Sequence, residues 1–86
     1  MGKFGPMIRE IRLAKGMTLN ELAKDIVSVP FLSKYERGAS DISAENFFQL
    51  LDRLNVRLSE FEALNANLKQ ETQDSFLEKY SYATNN

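Results

Sequence analysis

The amino-acid sequence predicts an all-α domain, and three observations carry that prediction. Apolar residues recur three and four positions apart along most of the 86-residue chain, which is the period of an α-helix. Capping residues and glycines separate these apolar segments at short intervals. β-branched residues are scattered and do not alternate with polar ones, so no strand is expected. A chain of this length is enough for one small domain.

The first two helices are predicted from the residues at their ends. Pro6 suits the first turn of a helix, and Gly16 suits the left-handed residue that follows the last turn. Thr18 is a good N-cap for the second helix, and Glu21 three residues later completes a capping box. The apolar spacing predicts that this second helix ends near residues 26–27.

Three more helices are predicted after residue 27. Ser28 is expected to cap the third, with Pro30 in its first turn, where a missing N–H costs little. Ser43 is expected to cap the fourth, Asn55 to follow its end in a left-handed conformation, and the fifth to start near Leu58. The apolar faces expected for these helices are Phe31, Leu32 and Tyr35, then Ala44, Phe47, Phe48, Leu51 and Leu54, and finally Phe61, Leu64 and Leu68.

The composition excludes several kinds of site. The chain contains no cysteine and no histidine, so it offers neither a disulfide framework, nor a thiolate metal site, nor the usual general base near neutral pH. We therefore expect no enzyme and no cofactor. No apolar run approaches the ~18 residues of a membrane span, and the first six residues lack the apolar centre of a signal peptide. A soluble, cytoplasmic protein is expected.

The charge is unevenly divided along the chain, although the net charge is only −1. Residues 1–38 carry seven basic and four acidic side chains, a net +3, whereas residues 39–86 carry four basic and eight acidic ones, a net −4. This asymmetry indicates that the first half faces an anionic partner such as DNA phosphates, and that the second half faces water or protein.

The short connections between the first three helices form a helix-turn-helix pattern. Opposite its apolar face, the third helix has a polar, cationic stripe at helical spacing, made of Pro30, Ser33, Lys34 and Arg37. Such a stripe suits a helix that lies in the major groove of DNA. Lys34 is predicted to contact a guanine and Arg37 a phosphate. On spacing alone, an ordinary solvent-exposed face is the alternative.

Arg12 and Glu36 flank the expected core, on the first and third helices respectively. The interpretation that we favour is a partly buried ion pair that joins the two helices. A phosphate contact by Arg12 is the alternative.

Three segments, IREIR at residues 8–12, TLNELA at 18–23 and LSKYERG at 32–38, resemble the Cro/C1-type (XRE) helix-turn-helix family. The resemblance extends to residue 61 and implies a five-helix, lambda-repressor-like domain. It also implies that this domain binds operator DNA as a homodimer, with its third helix in the major groove. The residues that it implies to face bases are Val29, Pro30, Ser33 and Lys34. The residues that it implies to contact phosphates are Thr18, Ser28, Arg37 and Ser40.

A narrower resemblance concerns ERGASDIS at residues 36–43 followed by LLDRL at 50–54, which is similar to the Rgg-type (MutR-like) regulators of Gram-positive bacteria. It implies a quorum-sensing transcriptional regulator that binds a short signalling peptide through a C-terminal helical-repeat domain. Residues 1–66 would then be the DNA-binding domain, and residues 67–86 a linker helix or the start of the repeat domain. The apolar stripe at residues 76–83 belongs either to a frayed tail or to a surface that docks on a partner subunit or a following domain.

The chain departs from the XRE pattern near the helix-turn-helix turn. Leu19 replaces a glutamine, and the turn after the second helix is one residue shorter, with Val27 in place of the usual glycine. Val29 and Pro30 suit contact with a thymine methyl group better than bidentate hydrogen bonding to a base. Asp41 replaces a basic residue and is expected to cap or orient the loop after the third helix.

Two other functions stay open at this point. One is a free-standing phage-like repressor or antitoxin of the same fold. The other is a helical protein-interaction module that has lost DNA binding, an interpretation that the acidic second half supports.

Overall fold

The computed structural model describes residues 2–67, which form five α-helices preceded by one short 3-10 helix. The elements are the 3-10 helix (Gly2–Phe4), α1 (Gly5–Ala14), α2 (Leu19–Ala23), α3 (Val29–Glu36), α4 (Ala44–Arg53) and α5, which is helical over residues 58–67. No strand occurs within residues 2–67, and the predicted all-α helix-turn-helix fold is confirmed. None of the described helices is long and apolar enough to cross a membrane.

Part of the expected organisation falls outside residues 2–67. Of the predicted linker over residues 67–86, only residue 67 is described. The apolar stripe at residues 76–83 and the expected core residue Leu68 lie outside the described residues.

Hydroxyl side chains cap the helices where the sequence predicts them. The Thr18 hydroxyl accepts a hydrogen bond from the Glu21 backbone N–H at 3.0 Å, and the Glu21 carboxylate accepts one from the Thr18 N–H at 2.9 Å. The predicted capping box is therefore confirmed. The Ser28 and Ser43 hydroxyls accept the N–H groups of the third residues of α3 and α4 at 3.2 and 3.1 Å. Each cap satisfies an N–H group that has no partner within its own helix.

The end of α2 differs from the prediction. The helix ends at Ala23, three residues before the predicted range, although the apolar spacing continues through Ile26. The backbone leaves the helix because Lys24 is extended, with ψ of 125°, and Asp25 is left-handed, with φ of +63°. The Ile26 N–H then donates to the Ala23 carbonyl at 2.9 Å and closes a tight turn. The shortened connection is therefore a turn with an aspartate in the left-handed position that usually favours glycine.

Arg53, near the end of α4, stabilises this turn from outside the helix-turn-helix. One guanidinium nitrogen donates to the carbonyl oxygens of Glu21 and Leu22, each at 3.4 Å, and to that of Lys24. These are carbonyl groups that the last turn of a helix leaves without partners. The side chain therefore completes the C-terminus of α2, a role that no local sequence signal predicts.

The core lies around α3, which packs against both α1 and α2. The largest fully buried side chains come from the five helices and from the residue that follows α4, and they are Ile8, Leu22, Leu32, Tyr35, Phe47, Leu50, Leu54 and Phe61. The rings of Phe4, Phe47 and Phe61 contact one another with centroids 5.2 to 5.6 Å apart. This aromatic cluster holds α4 and α5 against the start of the chain.

Three apolar residues that were expected to face the core, Ala44, Phe48 and Leu64, are exposed instead. Phe48 is 47% exposed, and Leu50 is fully buried in its place. Phe47 and Leu50 lie three residues apart on one helical face, whereas Phe48 is turned about 100° away from Phe47. Leu64 was also expected in the core and is 43% exposed.

Candidate nucleic-acid interface

The two faces of α3 have opposite character. Leu32 and Tyr35 are completely buried and fix the helix against α1 and α2. On the other side, the predicted stripe reaches solvent: Pro30, Lys34 and Arg37 are exposed and Ser33 is half-buried. A helix with one fully buried face and one cationic, exposed face is both rigid and accessible, as groove binding requires.

The two cations of this stripe differ in how firmly they are held. The Arg37 Nε donates to the Ser33 backbone carbonyl at 3.3 Å, so the guanidinium is directed along the helix surface. The Lys34 side chain makes no hydrogen bond or ion pair within residues 2–67. Its ammonium group is therefore available to an external acceptor.

Capping residues mark the N-termini of both helices of the helix-turn-helix. Thr18 and Ser28 are exposed, and their hydroxyls are already hydrogen-bonded to the backbone of α2 and α3. Val29, predicted to face a base, is half-buried and packs partly against the core. Only part of its side chain is therefore open to a ligand, whereas the neighbouring Pro30 is exposed.

The loop after α3 turns at Gly38, which has a φ of +79°. The Asp41 carboxylate accepts a hydrogen bond from the Ile42 N–H at 2.8 Å, so the acid shapes this loop, as the sequence suggested. Burial raises the pKa of the Tyr35 phenol, and the negative charge of Asp41 raises it further. Tyr35 therefore stays neutral. Ser40, in the same loop as Asp41, is half-buried.

Arg12 and Glu36 form a buried, bidentate ion pair. The Arg12 Nε lies 2.8 Å from one Glu36 carboxylate oxygen, and Nη2 lies 3.0 Å from the other. The remaining guanidinium nitrogen, Nη1, donates to the Met17 carbonyl at 2.9 Å. Arg12 is 8% exposed and Glu36 3%, so the pair neutralises its own charge inside the protein and joins α1 to α3.

Several of the candidate residues line one groove. It lies between α1, the start of α2 and α3, has a volume of about 560 Å³, and is lined in part by Leu19, Ser33 and Arg37. A second groove, lined in part by Ser40, adjoins it through Pro6. The structure therefore brings Ser33 and Arg37 together, with Ser40 close by. Residues 2–67 contain no group of acidic side chains that could hold a metal ion.

Comparison with known proteins gives a family match and two similar structures. The helix-turn-helix family matches residues 8–61 of the chain. The clp gene regulator ClgR from Corynebacterium glutamicum is 27% identical with a TM-score of 0.75, and the match covers 94% of this chain and 89% of that one. The SHP pheromone receptor Rgg2 from Streptococcus dysgalactiae is 31% identical with a TM-score of 0.68, over 88% of this chain and 29% of that one. This chain thus spans less than a third of the pheromone receptor.

Proposed function

Because the chain belongs to the helix-turn-helix family, we propose that it binds double-stranded operator DNA sequence-specifically and regulates transcription. The observation that carries the proposal is the exposed, cationic face of α3, which Leu32 and Tyr35 hold rigid from the buried side. When α3 lies in the major groove, the N-terminal half of the helix presents this face to the base edges.

The side chains divide between base and phosphate contacts in this proposal. Lys34 has an unengaged ammonium group and donates to guanine, while the exposed ring of Pro30, together with Val29, contacts a thymine methyl. Arg37 is directed along the helix and contacts a phosphate. The other proposed contacts are a base contact by Ser33 and phosphate contacts by Thr18, Ser28 and Ser40.

We propose further that the active form is a homodimer. One chain presents one α3 and therefore covers one half-site of the operator. Two copies related by a two-fold axis would cover a palindromic operator, which is the usual arrangement for this kind of domain.

The similarity to the pheromone receptor supports a more specific proposal. We propose that residues 1–66 are the DNA-binding domain of a longer, peptide-responsive regulator, and that residues 67–86 lead into its signalling domain. The length of the parent open reading frame is the first test. An open reading frame that stops at Asn86 would favour the free-standing repressor instead.

DNA binding itself is tested by the salt dependence of affinity for a random-sequence duplex, followed by fluorescence anisotropy. A protein that contacts several phosphates loses affinity steeply, with a log–log slope of about −0.9 per contact. A Lys34→Ala, Arg37→Ala double variant should bind much more weakly, whereas Arg57→Ala, a change of one exposed cation at the start of α5, should bind like the wild type. If the wild type has no measurable slope, the chain is better explained as a protein-interaction module.

A further inference from the structure

The first turn of α1 lies directly against the C-terminal end of α3. Gly5 allows this contact, since a Cβ atom at that position would collide with the backbone carbonyl of Tyr35. Because of this close approach, the exposed side of α1 and the last turn of α3 lie on the same surface of the domain. Arg9, one turn after Gly5, lines the groove that also contains Ser33 and Arg37.

This groove has a cationic rim over a neutral floor. Arg9 and Arg37 are both exposed, whereas the Arg12 charge beneath them is paired with Glu36. The one unpaired acid among the described lining residues is Glu10. Leu19 also lines the groove, and its side chain is apolar and cannot donate a hydrogen bond.

The Arg9 guanidinium makes no hydrogen bond and no ion pair within residues 2–67. An exposed arginine without a partner is common on protein surfaces, but this one shares a concave site with Arg37. Two guanidinium groups facing one groove suit an anion with several acceptor oxygens, and arginine is the side chain best matched to phosphate.

We propose that the groove between α1 and α3 binds a phosphate of the DNA backbone, and that Arg9 is a phosphate-binding residue in addition to those proposed above. This inference rests on the proposed function, because it extends the same interface. Arg9 supplies affinity for any duplex and helps to fix the position of the protein on the DNA, without selecting bases. It makes α1 part of the DNA-binding surface.

The experiment is a salt titration of binding to random-sequence duplex between 50 and 200 mM salt for the wild type and Arg9→Ala. One phosphate contact contributes about −0.9 to the slope, so the wild type should lose about 3.5-fold more affinity over this range than Arg9→Ala. Arg9→Ala should also weaken binding to every operator variant by the same factor. Glu10→Gln should raise affinity for all sequences, because it removes the unpaired negative charge from the groove.

The matched control is Arg57→Ala, since Arg57 lines a separate groove and has the same side chain. Arg9→Ala and Arg57→Ala should both melt at the wild-type temperature, because both arginines are exposed. If the wild type binds with a steep slope and Arg9→Ala keeps that slope, the assignment of Arg9 is wrong. If the wild type itself does not bind duplex DNA, the proposed function fails instead, so the two failures are distinguishable.

Discussion

Replacing Glu36 by alanine should destabilise the whole domain. The substitution leaves the Arg12 guanidinium, only 8% exposed, with a single remaining acceptor at the Met17 carbonyl. Two charge-assisted hydrogen bonds of 2.8 and 3.0 Å are lost at the same time. Removing one partner of a buried ion pair costs about 3–5 kcal/mol, whereas a small domain has on the order of 5 kcal/mol in total.

This loss is large enough to measure in two ways. In a domain of this size, 1 kcal/mol corresponds to roughly 4–8 °C in Tm, so Glu36→Ala should melt at least about 12 °C below the wild type. In urea, with a slope of about 1 kcal/mol per molar, the midpoint should move by about 3 M or the variant should be unfolded without denaturant. Circular dichroism at 222 nm follows both transitions.

Two controls separate the buried charge from a general effect of substitution. Glu10→Ala changes an exposed acid on α1 and should alter stability by less than about 0.5 kcal/mol. The double substitution Arg12→Leu with Glu36→Leu removes both charges and should recover most of the stability lost by Glu36→Ala. If Glu36→Ala costs under about 1 kcal/mol, the argument that this pair is structurally essential is wrong.

Four further predictions follow from single contacts or positions. Arg53→Ala should lower the free energy of unfolding by about 0.5–1.5 kcal/mol in urea denaturation, because carbonyl groups at the end of α2 lose their donor and are left to water. Asp25→Gly should raise the free energy of unfolding by about 0.5 kcal/mol, because glycine adopts a φ of +63° without strain. A urea midpoint equal to or lower than that of the wild type would contradict this. Hydrogen bonds from Thr18 lower the pKa of Glu21 below its ordinary value of 4.5. The capping box therefore stabilises the fold fully above that ordinary pKa, and this contribution is lost as the pH falls through the lower pKa of the folded state. The urea midpoints of wild type and Glu21→Gln should therefore differ at pH 6 and converge near pH 2, and a constant difference would count against the cap. Lys34→Ala should change the order of affinities across a panel of operator variants, whereas Arg37→Ala should lower all of them alike; identical profiles would contradict the proposed division between base and phosphate contacts.

The starts of the helices could be predicted because their signals are local. Thr18, Ser28 and Ser43 each cap the helix that begins one residue later, and each accepts a hydrogen bond from an N–H three positions on. All the atoms involved lie within four consecutive residues, so the sequence contains the whole interaction. The left-handed residues after α1 and α4, Gly16 and Asn55, were predictable for the same reason.

The end of α2 could not be predicted in this way. Its carbonyl groups are bound by Arg53, which is 29 to 32 residues away in the chain. The exposure of Phe48 could not be predicted either, because Phe47 and Phe48 are adjacent and both apolar, and only one of them can face the core. Hydrophobic periodicity locates a helix but does not decide between neighbouring residues at the edge of its buried face.

The candidate interface could also be predicted only in part from the sequence. The stripe on α3 was predicted from helical spacing, and its exposed, cationic side is where the sequence placed it. Arg9 is on another helix, and its place beside Arg37 depends on the close contact at Gly5. A contact between helices that are distant in sequence is set by tertiary packing, which periodicity and local motifs do not contain.

The position of Arg53 has a consequence for protein engineering. A designer who transplants residues 18–38 into another scaffold would carry both helices of the recognition unit, together with its turn. The guanidinium that binds the end of α2 would stay behind on α4. Such a chimera should hold α3 at a less defined angle and lose sequence preference before it loses affinity. The smallest segment that could be transplanted with the end of α2 still bound therefore extends at least to residue 53.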